Sequence, residues 1–386
     1  MTRNAVAKRV GDVRDARLLY PATEQWAYFN TAAVGLASRS VADAYHAFVT
    51  EWMTDGLDFV RGEAAAENAR SSVAALLGAD LDDVALIPSV SAAAGLVAAQ
   101  LGQATGAENV VIGEREYSSN HFPWRQLTAK GYEVRQVPFR NGGLEPEALA
   151  KHVDAGTRLV AFSGVQSATG HRSDIAGISA LAREVGALVF VDGSQMLGAL
   201  PMRAELGHVD IMAAADHKFL LHAGRGLGYC YLSPRVRDDF IPINAGWKAG
   251  AVPLESFFGP RMELSATASR FDNSISWLAA VGNEAALSAF DEFGPDAIHG
   301  RNAELSAVLR SALGDVGWPA VALPEANQSS IVSVPLPDHD ASKVAGALKE
   351  RRIVCAARDG NLRVAIHFYN HEDDIDRLVL ALAEIR

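Results

Sequence analysis

The stretch AADHKFLLHAGRGLG (residues 214–228) decides how the rest of the chain is interpreted. It completes an apolar run, VDIMAAA (209–215), that predicts a buried strand, and it ends in closely spaced glycines. Lys218 therefore lies just beyond a predicted strand end, where the chain turns. A lysine at such a point is usually a solvated surface residue. It can also be an amine held at the mouth of a site, where it can bond a carbonyl group.

Short apolar runs of the same kind occur upstream, and helical stretches separate several of them. Strands that are apolar on both faces and alternate with helices indicate an α/β fold with a mostly parallel sheet whose faces are covered. We expect GLGYCYLS (226–233) to add one strand at an antiparallel position. The upstream runs are VALI (84–87), NVVIG (109–113), YEVRQVP (132–138), LVAFSGV (159–165) and ALVFVDG (187–193).

The pattern changes after about residue 260, where long amphipathic helices alternate with short strands. This pattern predicts a smaller α+β domain, and a chain of 386 residues is long enough for two domains. We predict a large domain of residues 25–260. Residues 1–24 and 261–386 then form the small α+β domain, with the N-terminal segment packed on the C-terminal part.

Charge and cysteine content narrow the class of protein. The formal net charge of −11 argues against a general nucleic-acid binder and against docking on an anionic membrane. No apolar run reaches the roughly 18 residues that a membrane span needs, and the first residues do not resemble a secretory signal. Cys230 and Cys355 lie far apart without metal-ligand spacing, so we expect neither a disulfide scaffold nor a zinc site. A reducing cytoplasm is the expected location.

Open parallel sheets bind ligands beyond the carboxyl ends of their strands, so the residues that follow the strands are the informative ones. In IPSVSAAAG (87–95), Ser89 and Ser91 precede an alanine-rich helix. Hydroxyls beside the free N–H groups of a helix start can cradle a phosphate. The plainer interpretation is an ordinary serine N-cap.

A carboxylate follows another strand, in VFVDGSQ (189–195). A buried carboxylate at Asp192 needs a partner, which can be a protonated ring nitrogen, an arginine or a metal, unless the side chain merely caps a helix. Asp192 and Lys218 end successive predicted strands, so we expect them to share one crevice. An acid and an amine near a phosphate-type helix start suggest pyridoxal phosphate. The lysine would bond its aldehyde, and the aspartate would keep its ring nitrogen protonated.

The sequence resembles the class V aminotransferase family of fold type I pyridoxal-phosphate enzymes, which includes cysteine desulfurases, kynureninases and isopenicillin N epimerase-like proteins. The resemblance runs from YFNTAAVGLASRSV (28–41) to HFYNHEDDIDRL (367–378). Its most specific part is DGSQ (192–195) followed by DHKFLLHAGRGLGYCYL (216–232). It implies a large domain with a mostly parallel sheet of the seven-stranded type, a smaller α+β domain, pyridoxal 5'-phosphate as cofactor, and a homodimer with active sites at the interface.

The resemblance also implies roles for individual residues. Lys218 would form the imine with the cofactor and then move the substrate proton. Asp192 would pair with the ring nitrogen, Gln195 would lie near the 3-hydroxyl group, and His217 would lie on the phosphate side. Ser167 stands where many relatives have an asparagine beside the 3-hydroxyl. The other implied cofactor contacts are Val90 and Ser91 at the phosphate, Tyr117 stacked on the ring with a catalytic role, and Ser274 (or Ser276) at the neighbouring subunit's phosphate.

Substrate binding is expected near the end of the chain, in NLRVAIHFYN (361–370). Arg363 resembles the arginine that grips the substrate α-carboxylate, and Asn30 is a second expected substrate contact. Alternation along a strand would place Arg363 and His367 on the face opposite the apolar residues. An arginine fork suits a carboxylate, although a salt bridge on the domain surface would explain the same residue.

One segment indicates whether the reaction is that of a cysteine desulfurase, namely RRIVCAARDGNLRV (351–364). Cysteine desulfurases carry a nucleophilic cysteine on a loop shortly before the arginine strand. Here Cys355 lies in the preceding strand-like run, and the short connection ARDGN contains no cysteine. We therefore interpret Cys355 as a small buried residue rather than a persulfide carrier.

The remaining reactions stay open. We favour C–S bond cleavage by β-elimination from a cysteine S-conjugate, in a sulfur-containing natural-product pathway. The alternatives are decarboxylation coupled to oxidative deamination of such a conjugate, as in a lincosamide-type pathway, and epimerisation, transamination or hydrolysis of a kynurenine-like side chain. A non-catalytic scaffold is a further alternative, against which the joint presence of Asp192, Gln195, His217, Lys218 and Arg363 argues.

Overall fold

The computed structural model describes residues 11–222, 224–261 and 263–385. The strands are β1 (Ala27–Tyr28), β2 (Val84–Ile87), β3 (Asn109–Gly113), β4 (Glu133–Val137), β5 (Thr157–Ser163), β6 (Leu188–Asp192), β7 (Ile211–Ala215), β8 (Gly228–Leu232), β9 (Ile331–Pro335), β10 (Ile353–Val354), β11 (Ala356–Arg358) and β12 (Asn361–Ala365). The helices are α1 (Arg39–Thr54), α2 (Phe59–Leu77), α3 (Val90–Gln100), α4 (Phe122–Arg125), α5 (Pro146–Leu149), α6 (Ile175–Glu184), α7 (Arg203–Leu206), α8 (Pro234–Arg237), α9 (Trp277–Phe293), α10 (Pro295–Asp315), α11 (Ala341–Glu350) and α12 (Glu372–Ile385). No helix within these ranges is long and apolar enough to cross a membrane.

Seven strands form the central sheet, in the order β2-β8-β7-β6-β5-β3-β4. Strands β3 to β7 pair in parallel, whereas β8 pairs antiparallel with both β7 and β2. The predicted α/β fold with a mostly parallel sheet is confirmed, and so is the antiparallel position of residues 226–233. The parallel strands therefore present their carboxyl ends at one edge, where a ligand site is expected.

Apart from the edge strand β4, which is largely polar and exposed, both faces of this sheet are buried because alternate residues of the strands join different apolar clusters. In β6, Val189 and Val191 pack on the side that carries α2, α6 and α9. Phe190 packs on the opposite side with α3, and its ring lies edge-on to Trp124 at a centroid distance of 5.0 Å. Helices on both faces explain why the strands are apolar throughout rather than alternating.

A second, smaller sheet belongs to the C-terminal part, with the antiparallel order β11-β12-β9. Its core is shared with α10, α11 and α12 and also contains Ala27 and Phe29, because β1 pairs in parallel with β10. Helix α9, in contrast, packs on α1 and α2 in the large core. The domain boundaries at residues 25 and 260 stay a prediction. Ala27 and Phe29, which we assigned to the large domain, pack in the small core, and α9, which we assigned to the small domain, packs in the large core.

A buried ion pair fastens α2 to the edge of the large sheet. Arg70 is 3% exposed and Asp272 2% exposed, and their side chains are hydrogen-bonded to each other. Arg70 also donates to the carbonyl of Val84 (2.8 Å), and the Leu86 N–H donates to Asp272 (2.7 Å). The pair therefore satisfies both charges while it holds β2 against α2 and against the segment that leads into α9.

Replacing Asp272 with asparagine should lower the free energy of unfolding by about 3–5 kcal/mol, because it breaks the buried ion pair and leaves the guanidinium of Arg70 only the largely exposed carboxylate of Glu67 as a counter-charge. Urea denaturation measures this loss. Glu24→Gln is the matched control: Glu24 pairs with Arg39 at 3.4 Å, but both side chains are exposed. That change should cost at most about 1 kcal/mol. Equal stability of the two variants would contradict the importance of the buried pair.

Candidate active site

Two predicted site residues meet at the carboxyl edge of the large sheet. Asp192 is the last residue of β6 and pairs in register with Ala213 of β7, and Lys218 follows the end of β7 by three residues. Both side chains line one cleft, together with the predicted residues Val90, Tyr117 and His217. The parallel pairing of β6 and β7 is therefore what brings the acid and the amine together.

The backbone at Lys218 is held by a close approach of the segment that follows β1. The Gly35 N–H donates to the carbonyl of His217 (2.9 Å), and the Leu221 N–H donates to that of Lys218 (3.1 Å). A Cβ atom at Gly35 would lie only 2.5 Å from the Lys218 carbonyl oxygen, so no larger residue fits there. The amine nitrogen lies 5.4 Å from the centroid of the Tyr117 ring.

The surroundings of Lys218 favour its neutral form. Burial and, to a lesser extent, the positive charges of Arg363, Arg225 and Arg358 together lower the pKa of the amine to about 8, although the charge of Asp192 acts in the opposite direction. An amine with this pKa is partly neutral near pH 7.5. It can therefore attack a carbonyl group or accept a proton.

One end of the cleft carries hydroxyl and cationic groups suited to a phosphate. Ser89 caps α3 by accepting a hydrogen bond from the Ala92 N–H (3.2 Å), and the Ser91 hydroxyl lies 3.0 Å from that of Ser89. Ser89, His217 and Arg225 all line the cleft, whereas the predicted Ser91 is not among its lining residues. The sequence reasoning missed Arg225, which follows the lysine within the glycine-containing turn and is brought back to the cleft only by folding.

Two acceptors lie at and just after the end of β6, of which Asp192 lines the cleft and Gln195 is not among its lining residues. Asp192 accepts from the Ser194 N–H (2.9 Å), and the amide nitrogen of Gln195 donates to the carbonyl of Ala32 (3.1 Å). The amide oxygen of Gln195 is buried and has no hydrogen-bond partner among the described residues. A buried acceptor without a partner is costly, so this oxygen fits the hydroxyl group of a ligand. An amine, a carboxylate, an orphan acceptor and a phosphate-type helix start together fit pyridoxal phosphate.

Arg363 is only 1% exposed and is held by residues from two other parts of the chain. It donates to the carbonyl and to the hydroxyl of Ser167 (both 3.0 Å) and to the side-chain oxygen of Asn30 (3.5 Å). Burial and the charge of Arg358 lower its pKa to about 9. A fixed guanidinium without a carboxylate partner among the described residues is well suited to a substrate carboxylate. The contact of Ser167 with a cofactor hydroxyl stays a prediction.

His367 has a different environment from Arg363. Strand β12 ends at Ala365, so the alternation that we used for these two residues does not extend to the histidine. Its ring nitrogen Nε2 lies 2.9 Å from the carbonyl oxygen of Phe219, and burial lowers its pKa to about 3. His367 is therefore a neutral histidine that fixes the chain just after Lys218.

Glu116 is a buried acid that the sequence reasoning missed. It is 8% exposed and accepts from the Ser163 N–H (3.0 Å), the Ser163 hydroxyl and the side-chain amide of Gln166 (2.9 Å). Burial raises its pKa to about 7, and the charge of Asp192 raises it too. Its position between strand β3 and Tyr117 was the one sequence feature that could have indicated a residue near the site. The acid ties this strand exit to that of β5 and so positions the Tyr117 ring.

The two serines expected to reach a neighbouring subunit are both exposed. Ser276 caps α9 through the Ala279 N–H (3.2 Å), and its own N–H donates to the carbonyl of Gly226 (3.3 Å), which lines the cleft. Ser274 lies two residues earlier on the same rim. Their role across a subunit interface stays a prediction.

We expect the rate of reductive methylation of Lys218 in the cofactor-free protein to rise with pH to a midpoint of about 8, because the neutral amine is the nucleophile. Peptide mass spectrometry measures this rate, with the exposed Lys343 as an internal reference for the reagent. Arg363→Gln should move the midpoint to higher pH, since it removes a nearby positive charge. A midpoint near the ordinary lysine value of about 10.4 would contradict the described electrostatics.

Comparisons with known proteins identify the family of this chain. Residues 27–378 match the aminotransferase class V family. The chain is 26% identical to the uncharacterized aminotransferase YcbU of Bacillus subtilis over 95% of its length and 96% of the relative's. It is 29% identical to isopenicillin N epimerase of Streptomyces clavuligerus, with 92% and 93% covered. A structure of the cystine C–S lyase C-DES with its product cysteine persulfide superimposes with a TM-score of 0.84 at 20% identity, covering 95% of this chain and 99% of that one. The chain belongs to the class V aminotransferase family, and its cofactor is pyridoxal 5'-phosphate.

Proposed function

We propose that this enzyme cleaves the C–S bond of an L-cysteine S-conjugate by β-elimination, in a sulfur-containing natural-product pathway. The observation that carries the proposal is the short connection between β11 and β12. Arg358 and Asn361 are directly paired, so only Asp359 and Gly360 form the turn. Their φ angles of 51° and 78° are those of a tight type I′ hairpin, which contains no cysteine and has no slack to carry one toward a substrate.

The two cysteines of the chain also argue against a persulfide-forming reaction. Cys355 is 9% exposed, and burial raises the pKa of its thiol. Cys230 is 1% exposed within β8, and burial raises its pKa to about 12. Nucleophilic cysteines need a lowered pKa and access to the substrate, and neither residue has them. A persulfide-forming desulfurase reaction is therefore the less favoured chemistry.

In this proposal each residue has a defined task. Arg363 holds the α-carboxylate of the substrate, and Asp192 holds the ring nitrogen of the cofactor. When bound, pyridoxal phosphate supplies an electron sink for the negative charge at the α-carbon. The Lys218 amine accepts the α-proton, the thiolate leaves from the β-carbon, and the released aminoacrylate hydrolyses to pyruvate and ammonia.

Epimerisation is the second candidate, because isopenicillin N epimerase is 29% identical over nearly the whole chain. It begins with the same removal of the α-proton and ends with its return to the other face of the α-carbon. Decarboxylation coupled to oxidative deamination instead breaks the bond to the carboxylate and releases carbon dioxide. The three reactions therefore differ in their products, and decarboxylation also differs in that its first step needs no acceptor for the α-proton.

We also propose that the working unit is a homodimer. Several large apolar side chains in residues 241–258 face solvent, with Ile241 67%, Ile243 62% and Phe258 88% exposed. A stretch of this kind is typical of a protein interface. This stretch precedes the segment with Ser274 and Ser276 in sequence.

We propose a cytoplasmic location, because both cysteines are free, as is usual for proteins in a reducing compartment.

Purified holoenzyme incubated with a panel of cysteine S-conjugates should release thiol and pyruvate in equal amounts. Thiol, pyruvate, carbon dioxide, aldehyde and the enantiomeric ratio of the substrate are assayed separately. Lys218→Ala should lower the rate by about 10²–10⁴-fold because the proton acceptor is lost. Release of carbon dioxide without pyruvate would instead identify the decarboxylation. Racemised substrate without released thiol would identify the epimerisation.

Cys355→Ala should change the elimination rate by less than about twofold, because the thiol is buried and packs only against the small core. The matched control is Cys230→Ala, which probes the large core in the same way. Sulfide release from free L-cysteine that disappears in Cys355→Ala, but not in Cys230→Ala, would revive the desulfurase reaction.

A further inference from the structure

Arg358 lies on the same face of the small sheet as the arginine proposed to bind the substrate carboxylate. Ala356 pairs directly with Arg363, and Arg358 is two residues further along β11. Opposed residues of an antiparallel pair share a face, and so do alternate residues of one strand. The two arginines are therefore diagonal neighbours, with backbones about 7–8 Å apart.

The electrostatics agree with this placement. The charge of Arg358 lowers the pKa of Arg363 and that of Lys218, in both cases after the larger effect of burial. Arg225 also acts on Lys218. The active site thus gathers three guanidinium groups around one amine, in a chain whose formal net charge is −11. Arg358 is exposed, so its charge is accessible from solvent, and positive charge of this kind attracts anions.

The cofactor phosphate and the substrate α-carboxylate would provide anionic partners for two of these guanidinium groups. Arg225 lines the cleft beside Ser89 and His217, at the end suited to the cofactor phosphate. Arg363 is the proposed partner of the substrate α-carboxylate. Arg358 has no ion pair within residues 11–222, 224–261 and 263–385, and its recorded hydrogen bond is to the carbonyl of Ala357 (2.7 Å). The adjacent Asp359 pairs with Arg115 instead (3.0 Å).

We infer that Arg358 binds a second anionic group, carried at the far end of the substrate side chain. The preferred substrates are then amino acids with an acidic side chain, such as a cysteine whose sulfur bears a carboxyalkyl group. The diagonal separation of the two arginines matches a substrate with carboxylates at both ends, and the type I′ turn fixes Arg358 at this distance. The inference rests on the proposed binding of the α-carboxylate by Arg363, but it does not depend on which bond is cleaved.

The first test measures binding rather than turnover. L-Glutamate and L-glutamine have the same shape and differ in side-chain charge, so their dissociation constants are determined with the holoenzyme by calorimetry at low ionic strength. We expect wild-type enzyme to bind glutamate at least tenfold more tightly. Arg358→Gln should reduce this preference to within twofold, Arg358→Lys should retain part of it, and Arg363→Gln should weaken both ligands alike.

Arg351→Gln is the matched control, because Arg351 is an exposed arginine of the same domain, at the end of α11. It should leave the preference for glutamate unchanged. Equal affinity of the wild-type enzyme for the two amino acids, or a preference that survives in Arg358→Gln, would overturn the inference.

A second measurement separates this inference from the proposed function. Turnover of S-carboxymethyl-L-cysteine is compared with that of S-carbamoylmethyl-L-cysteine, and the carboxylate should be favoured at least tenfold in kcat/KM through Arg358. If both are cleaved equally well, elimination stands and the acidic specificity fails. If neither is cleaved while the glutamate preference depends on Arg358, the specificity stands and elimination fails.

Discussion

The chemistry of this enzyme depends on keeping one amine partly uncharged. Lys218 gains this property from burial and from the positive charges around it, against a single opposing carboxylate. Burial is the larger cause, so the closeness of packing around the cleft matters as much as any charged neighbour. Glu116 contributes to that packing by tying the exits of β3 and β5 together. The apolar sheet below the site is therefore part of its electrostatics.

The sequence predicted the features that depend on strand order. Apolar runs separated by helices were sufficient for the parallel sheet, and residues that follow successive strands were sufficient to bring Asp192 and Lys218 together. The resemblance to the class V family supplied the remaining roles, and Val90, Tyr117 and His217 do line the same cleft. The parallel sheet and the meeting of Asp192 and Lys218 were predictable because the carboxyl ends of parallel strands meet at one edge, whereas the roles of the individual residues stay predictions.

Other features could not be predicted, because they depend on contacts between distant segments. Ser167 and Asn30 hold Arg363 from positions far apart in the chain. Arg225 and Arg358 affect Lys218 only through the folded arrangement of two domains. Residues 27–29 also pack with strands more than three hundred residues away, which a composition change near residue 260 could not indicate. Local patterns specify elements, whereas these contacts arise from tertiary packing.

The segment between β1 and α1 has a mechanical consequence. Asn30 bridges to Ala365, two residues beyond the arginine proposed to bind the substrate carboxylate, and five residues later the Gly35 N–H donates to the backbone of the segment that carries Lys218. These residues therefore connect, through backbone contacts, the segment of the arginine to which we assign the substrate carboxylate with the segment of the lysine to which we assign its proton. Because Ala27 and Phe29 pack in the small core, a movement of that core would be transmitted through this segment to Lys218.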